Sequence, residues 1–553
     1  MSALTNYTSQ LSLQASALYI AVCGIATHAV FKHYEPSSVV IHGALLIIFP
    51  LVLSALLTSH LHLSNAIITA FSTFHGTLCS SILLYRLSPL HSLYQFPGPV
   101  FCKISKVSFA WISSHGTQHL YIRQLHDKYG DIVRIGPNEI SIRDVSLINA
   151  VMGTQGLPKG PSLTGRTFQS KFTSLIGLRD PHAHFIRRKP WNRALNMSAI
   201  KEFQPILTAR AAQLVESVGQ QQDIFDLSRW FGFFTYDFMC DMVFGGGSEM
   251  LREGDPQQHW DRMQKAIDAL MWLDHLPWLA DYARKFPRSV ATISDGRMSG
   301  IKRIERRKSE GVSRKDLMYS LSNEDIGGDT PPHEIVLLEG FLAIVAGSDT
   351  TSGVLSNVFY YLLSNPEVYK RLQSEVDQHY PTGEDSLDPQ YYPQMPYLDA
   401  VINETLRLMP AVPSGSQRAP LIGSGGKLVG PYYIPEGNQV RIHFYSVHRD
   451  PRNFTDPDTF WPERWLIAEG LTEWKGPGPF AHNPNAFLPF SHGPANCVGK
   501  PMAMHEMRTV TCHMMQKLHL CFAGGWDPKD WERDIEDRFV LKHGRLLVTV
   551  QPR

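Results

Sequence analysis

The chain has 553 residues and a mass of 62.4 kDa, too long for a small ligand module or a disulfide-stapled peptide. Its 52 basic and 51 acidic residues leave a net charge of +1, too weak a field to recruit nucleic acid. A mean hydropathy of −0.16 excludes a chain embedded mostly in a membrane. The seven scattered cysteines lack CxxC spacing, which disfavours a disulfide framework or a zinc ribbon.

The first 96 residues hold three charged side chains, Lys32, Glu35 and Arg86, far fewer than a soluble domain would carry. Apolar stretches at 11–31, 39–57 and 66–85 fill this region, each near the roughly 20 residues that a membrane-crossing helix needs. The second is the clearest, with Pro50 tolerable inside it; Ser, Thr, His and Gly dilute the other two. A secretory signal is disfavoured, because the start has no basic residue and more apolar segments follow. Lys32 lies between the first and second stretches, and Arg86, Lys103 and Lys106 follow the third. That pattern sets the amino terminus in the lumen and the remainder in the cytosol. Asn6-Tyr7-Thr8 is then a glycosylation triplet. The alternative is a single anchor with two helices lying on the bilayer surface.

Pro97-Gly98-Pro99 closes this region as a stiff hinge, so 1–96 is expected to be a membrane anchor and 97–553 a separate body. Beyond the hinge there is no repeat, low-complexity run or long linker. Helical periodicity dominates, as over 333–363, 366–378 and 397–408, while strand-like pieces at 132–135, 139–142 and 545–550 are few. This predicts a mainly α fold with small β-sheets. No GxGxxG, GxxxxGK[ST] or GxSxG is present, and neither His333-Glu334 nor His505-Glu506 reaches a second histidine four positions on. Nicotinamide electrons, if used, must come from another protein.

The most informative stretch is PFSHGPANCVGK at 489–500, which carries the frame FxxGxxxCxG on Phe490, Gly493, Cys497 and Gly499. From this composition the frame arises by chance about 0.002 times. It reads as a tight loop that presents one thiolate: the glycines permit unusual backbone angles and close approach to a flat partner. A helix starting near Gly499 turns its positive end toward the sulfur. A lone cysteine is more often an inert core residue; the loop frame reverses that expectation.

On these residues the chain resembles the cytochrome P-450 family of heme-thiolate monooxygenases, from Pro97 onward. The resemblance implies heme b with Cys497 as the iron ligand, whose thiolate pushes electron density toward O–O cleavage. One position departs from the pattern: the family has Arg or His two residues before the cysteine, and here Ala495 stands there. Other basic groups are expected to compensate.

Further motifs gain meaning from that resemblance. Glu404-Thr405-Leu406-Arg407 matches ExxR, whose ends share a helix face. Glu249-Met250-Leu251-Arg252 matches equally well, so the motif alone is weak. Only the first is followed by Phe460-Trp461-Pro462-Glu463-Arg464, which implies a buried structural triad of Glu404, Arg407 and Arg464. Ala346-Gly347-Ser348-Asp349-Thr350-Thr351 lies within the long apolar helical pattern. Hydroxyls there commonly do no more than bend a helix. The resemblance gives Gly347 the role of making room for dioxygen and Asp349 and Thr350 that of delivering protons. It also implies propionate contacts from Arg418, His184 and Arg188, with His184 where the family has Trp. Arg187, Lys189 and Arg193 form either an ordinary solvated basic face or, with Lys500 and Arg508, a docking patch for an acidic reductase. Residues 411–416, Phe341 and Val345 are expected to line an apolar pocket, and 164–178 to cover its entrance.

Together these imply a membrane-anchored monooxygenase at the endoplasmic reticulum that oxidises a lipophilic small molecule with dioxygen. A separate NADPH-dependent reductase would supply its electrons. The three-crossing anchor looks most like fungal members, where secondary metabolism, terpenoids included, is a common assignment. The alternatives are a heme-thiolate isomerase or dehydratase, which often lacks the Asp349-Thr350 pair, and a non-catalytic membrane heme protein.

Overall fold

The computed structural model describes residues 11–166, 172–285 and 315–553, together with Arg303, Glu305, Arg306, Arg307 and Ser309. The triplet at Asn6 and residues 167–171 of the expected entrance loop lie outside the described residues.

Among the described residues four helical stretches are long and apolar enough to cross a membrane. Three of them, Leu13–Tyr34, Val39–Leu57 and Leu63–Leu87, pack together at the amino end around Ile20, Leu57, Ala66, Ala70 and Phe74. They mark the chain as membrane-associated. A Cβ at Gly24 would lie 2.7 Å from the Phe74 carbonyl oxygen, so only glycine lets the first helix approach the third this closely. The second stretch passes through a π-helical turn, Ala44–Ile48, just before Pro50. The proline has no N–H for the Leu46 carbonyl four residues back. His75 Nε2 on the third helix donates to that carbonyl at 3.1 Å. The neighbouring helix thus satisfies the group that the proline freed, as a hydrocarbon surrounding demands.

The fourth stretch, His333–Ser364, is apolar for another reason. It runs through the body against Leu227–Phe244, Pro396–Leu408 and Lys500–Lys517, and a helix covered on most sides is hydrophobic nearly all round. It ends at Asn365, and Pro366 opens the next helix, Pro366–His379, at a position that needs no N–H.

The expected strands occur at Ile132–Gly136, Glu139–Ile142 and Leu547–Pro552. The first two join Gln439–Ile442 and Gln417–Arg418 in a four-stranded sheet, the Glu139–Ile142 and Gln439–Ile442 pair being parallel. Arg418 is thereby fixed opposite Val440, with Lys159 bridged to its other side. The last joins Phe225–Asp226 and Leu518–Phe522. The body is mainly helical with small sheets.

The hinge is locked against the first sheet. The Arg134 N–H donates to the Pro97 carbonyl at 2.7 Å, and a Cβ at Gly98 would sit 2.2 Å from the Arg134 carbonyl oxygen. The amino-terminal helices touch the rest of the chain elsewhere too: His42 Nδ1 pairs with the Tyr282 hydroxyl at 2.5 Å, and Arg134 Nη1 donates to the Arg86 carbonyl at 3.1 Å.

The ExxR pair does bridge internally. Arg407 grips Glu404 through Nε and Nη2 at 2.9 and 2.8 Å, and Arg464 Nε reaches Glu404 Oε1 at 3.0 Å. All three are fully buried. Trp461 N–H and Trp465 Nε1 add two donors to the same carboxylate. Burial pulls the Glu404 carboxyl upward, but Arg407 and then Arg464 outweigh it and hold the group below its ordinary range. The second ExxR match does not bridge: Glu249 pairs with Arg210, and Arg252 with Glu253.

Candidate active site

The cysteine loop is shaped by backbone geometry. At Gly493 φ is +73°, and a Cβ would lie 2.0 Å from the Met152 carbonyl oxygen, so no other residue fits. The Cys497 N–H donates to the Phe490 carbonyl at 2.9 Å, which closes the loop. Gly499 corrects the sequence expectation: its φ of −82° suits any residue, and a Cβ there would stand an ordinary 3.8 Å from Cys497 Sγ. The residue with an unusual backbone is instead Ser491, at φ 64°. Gly499 caps the helix Lys500–Lys517, and the Gly499 and Lys500 N–H groups both point at the sulfur.

Cys497 is reached by solvent yet crowded by protein. Burial raises its thiol, against the two amides, Arg188 and Lys500. Contact with a metal cation would reverse that balance, because thiols bind metals as thiolates.

Beside the loop sits a basic cluster. Arg188, on the helix Pro181–Ala194, donates through Nη1 and Nη2 to the carbonyl and side-chain oxygens of Asn496 at 2.6 and 2.7 Å. Burial and the neighbouring Lys159, Arg188 and Arg418 push the imidazole of His184 down to about 3, so it is neutral near pH 7. Burial alone pushes Arg418 down to about 10, and its Nε has no hydrogen-bond partner among the described residues. Lys159 was not singled out from sequence. Burial, then Arg418 and Arg188, push its amine down to about 7, while Nζ donates to the Leu175 and Ile176 carbonyls at 2.9 and 3.1 Å. Packing four basic side chains together is costly unless an anion joins them. Glu339, the acid that acts on Lys159, already accepts from Arg187 and the Leu175 N–H.

On the long helix, Leu342, Ala346 and Thr350 recur every four residues on one face; Ala346 is exposed and the others half-buried. The Thr350 hydroxyl donates to the Ala346 carbonyl at 2.6 Å, the helix-bending bond, and its oxygen remains an acceptor. Asp349 is 9% exposed and accepts from Gln264 Nε2 at 2.6 Å. Gly347 is turned elsewhere. A Cβ there would lie 2.4 Å from Met239 Sδ, so this glycine lets the long helix pack closely against Leu227–Phe244.

A profile described as Cytochrome P450 matches residues 97–550. The chain belongs to the cytochrome P450 family.

Among the relatives of this P450 is "Cytochrome P450 monooxygenase FCK2" of Fusarium pseudograminearum. It is 33% identical over 489 residues, 87% of this chain and 86% of the relative. "Cytochrome P450 67" of Uromyces fabae is 30% identical over 538 residues, 95% of this chain and 97% of the relative. "Cytochrome P450 monooxygenase nodW" of Hypoxylon pulicicidum is 32% identical over 469 residues, 81% of each chain.

The P450 is thus an oxygenase enzyme whose cofactor is heme, held in this family by a cysteine thiolate. The residues present fit that group. The sulfur of Cys497 faces two amides, and the orphaned Arg418 Nε lies in a basic cluster suited to carboxylates. Position 495 is not basic, and the basic cluster beside the loop comes from Lys159, His184, Arg188 and Arg418.

Two other expectations need revision. Of the five residues offered as a docking patch, Arg187 pairs with Glu339, Arg193 with Asp325 and Arg508 with Asp399. Lys189 and Lys500 instead lie over the rings of Phe185 and Phe490. In the stretch 411–416, the Ser414 hydroxyl donates to Asp537 and is buried, whereas Ala411 and Val412 are half-buried. Phe341 is 43% exposed, on the edge of the accessible face of the long helix.

Proposed function

We propose that this P450 oxidises a lipophilic small molecule arriving through the bilayer. Its body would face the cytosol at the endoplasmic reticulum, and a separate reductase would pass it electrons from NADPH. The arrangement around Cys497 carries this reading: two backbone amides at the sulfur, Arg188 clamped to the preceding residue, and an acid-poor basic cluster alongside. Heme bound there supplies dioxygen activation, with the thiolate favouring O–O cleavage.

The chain's own residues bind, shield and deliver protons. Lys159, His184, Arg188 and Arg418 hold the carboxylates of the cofactor. Leu342, Val345 and Ala346 offer an apolar wall that suits a lipophilic substrate and keeps water out. Asp349, nearly buried, passes protons to the Thr350 hydroxyl, which accepts on one lone pair as it donates its own proton onward. Lys189 and Lys500 are the docking cations for an acidic reductase. The fungal sources of the relatives support a place in fungal secondary metabolism, with a terpenoid as one substrate class.

Thr350→Ala tests this account. Product formation is expected to fall by roughly 10²-fold, in line with losing a positioned proton donor, while NADPH is still consumed. Full turnover without dioxygen or NADPH would point to an isomerase or dehydratase. Function unchanged by the substitution would point to a non-catalytic heme protein.

A further inference from the structure

The helix His259–Ala269 carries Trp260, Gln264 and Asp268 at four-residue spacing, so all three share one face. Both ends of that face are pinned. The Trp260 indole lies 2.7 Å from where Gly232 would carry a Cβ, a notch that only glycine leaves open, and it meets Tyr236 edge-on at 6.5 Å. Asp255 caps the start of the helix, accepting from the His259 and Trp260 N–H groups at 2.7 and 3.0 Å. At the other end Asp268 accepts from Lys542 Nζ at 2.6 Å. Between the pins, Gln264 Nε2 donates to Asp349 Oδ1 at 2.6 Å.

We infer that Gln264 is a positioning residue for proton delivery, holding the Asp349 carboxyl in line with Thr350. The inference rests on the proposed role of Asp349. An amide suits the task because it does not titrate and carries no charge. It fixes one oxygen without the strong stabilisation of the carboxylate that a lysine or arginine would give. Through this bond the amide adds no charge that would bar Asp349 from taking up a proton and releasing it. In the relay the Asp349 carboxyl gives its proton to the Thr350 oxygen while the Thr350 hydroxyl proton moves on into the cleft. Asp349 then regains a proton from solvent, and no electrons move through these residues. The pinned helix makes the position of Asp349 a property of the fold rather than of one side-chain rotamer.

The test needs no identified substrate. The heme-loaded full-length chain, with NADPH, a flavin reductase and dioxygen but no substrate, consumes NADPH at a rate that depends on proton supply. Gln264→Leu is expected to slow that consumption by about 10-fold, a part of what positioned proton transfer contributes, and to enlarge the solvent deuterium isotope effect. Asp349→Asn should do the same, and the double variant should be no slower than Asp349→Asn alone. Gln264→Glu should move the midpoint of the pH–rate profile upward, because two facing carboxyls share one proton. Heme content and thermal midpoint should stay at wild-type values in all of them, which separates positioning from structural damage. If Asp349→Asn alters rate and isotope effect while Gln264→Leu leaves both unchanged, the inference is overturned and the role of Asp349 stands. A silent Asp349→Asn overturns both.

Discussion

Glu404→Gln is expected to give protein that holds little heme and unfolds far more readily than wild type. The substitution keeps shape and removes one charge, so Arg407 and Arg464 are left facing a neutral amide at full burial. Breaking a buried pair in this way costs about 3–5 kcal/mol, because the remaining charge stays desolvated. The loss reaches the cysteine loop by a short route. Arg407 Nη1 donates to the His448 carbonyl at 2.8 Å, His448 Nδ1 donates back to the Arg407 carbonyl at 3.0 Å, and the Leu488 N–H donates to His448 Nε2 at 2.8 Å. Leu488 lies two residues before Phe490, where the loop closes. The same change at Glu249, in the other ExxR match, should cost about 1 kcal/mol or less, since that carboxylate is 40% exposed. Denaturant unfolding and heme content of the two variants check this. Equal small losses would remove the triad from any locking role.

Acid should loosen the same region, and His448 is one of the buried histidines that carry the effect. It is neutral in the fold, because the Leu488 N–H occupies Nε2 and a second proton would set two donors face to face. Burial, with Arg407 and Arg449 nearby, pushes its imidazole down to about 3, against the backbone hydrogen bond to Arg407. The unfolded chain takes up this proton near pH 6.5 and the fold resists until about pH 3. Between those values the unfolded state binds more protons, so the stabilisation is complete above pH 6.5 and lost as the pH falls toward 3. That is about 1.4 kcal/mol per pH unit and about 5 kcal/mol over the window. Buried His119 and His126, pushed down to about 3 and about 4, act in the same direction. Buried acids held above their ordinary range, Glu506 and Asp537, act in the opposite one. A difference measurement isolates His448: His448→Gln should flatten the stability–pH curve between 6 and 4 by about 1.4 kcal/mol per unit. An unchanged slope would show that His448 is protonated in the fold.

The parts of this molecule readable in the sequence are those carried by local spacing. The apolar stretches, Pro97-Gly98-Pro99, the long helix, the closing loop at Gly493 and the Glu404–Arg407 bridge each lie within a few turns of chain. What escaped is contact between distant segments. Lys159 joins Arg418 from 259 residues away through a single strand bridge, and no motif surrounds it. The close packing of Gly347 against Met239 joins two helices about 110 residues apart, and no local spacing marks it. Arg187, Arg193 and Arg508 read as free surface charge, because their acids, Glu339, Asp325 and Asp399, come from other elements. The His75 bond that satisfies the Leu46 carbonyl, left free by Pro50, belongs to the same class.

The most direct test of the account is the absorption spectrum of the purified, heme-loaded full-length chain, reduced and exposed to carbon monoxide. With Cys497 thiolate as the iron ligand, the Soret band moves to the long wavelength that thiolate ligation gives. A band at the shorter wavelength typical of imidazole ligation, in protein that is folded and fully loaded, would contradict the assignment of Cys497.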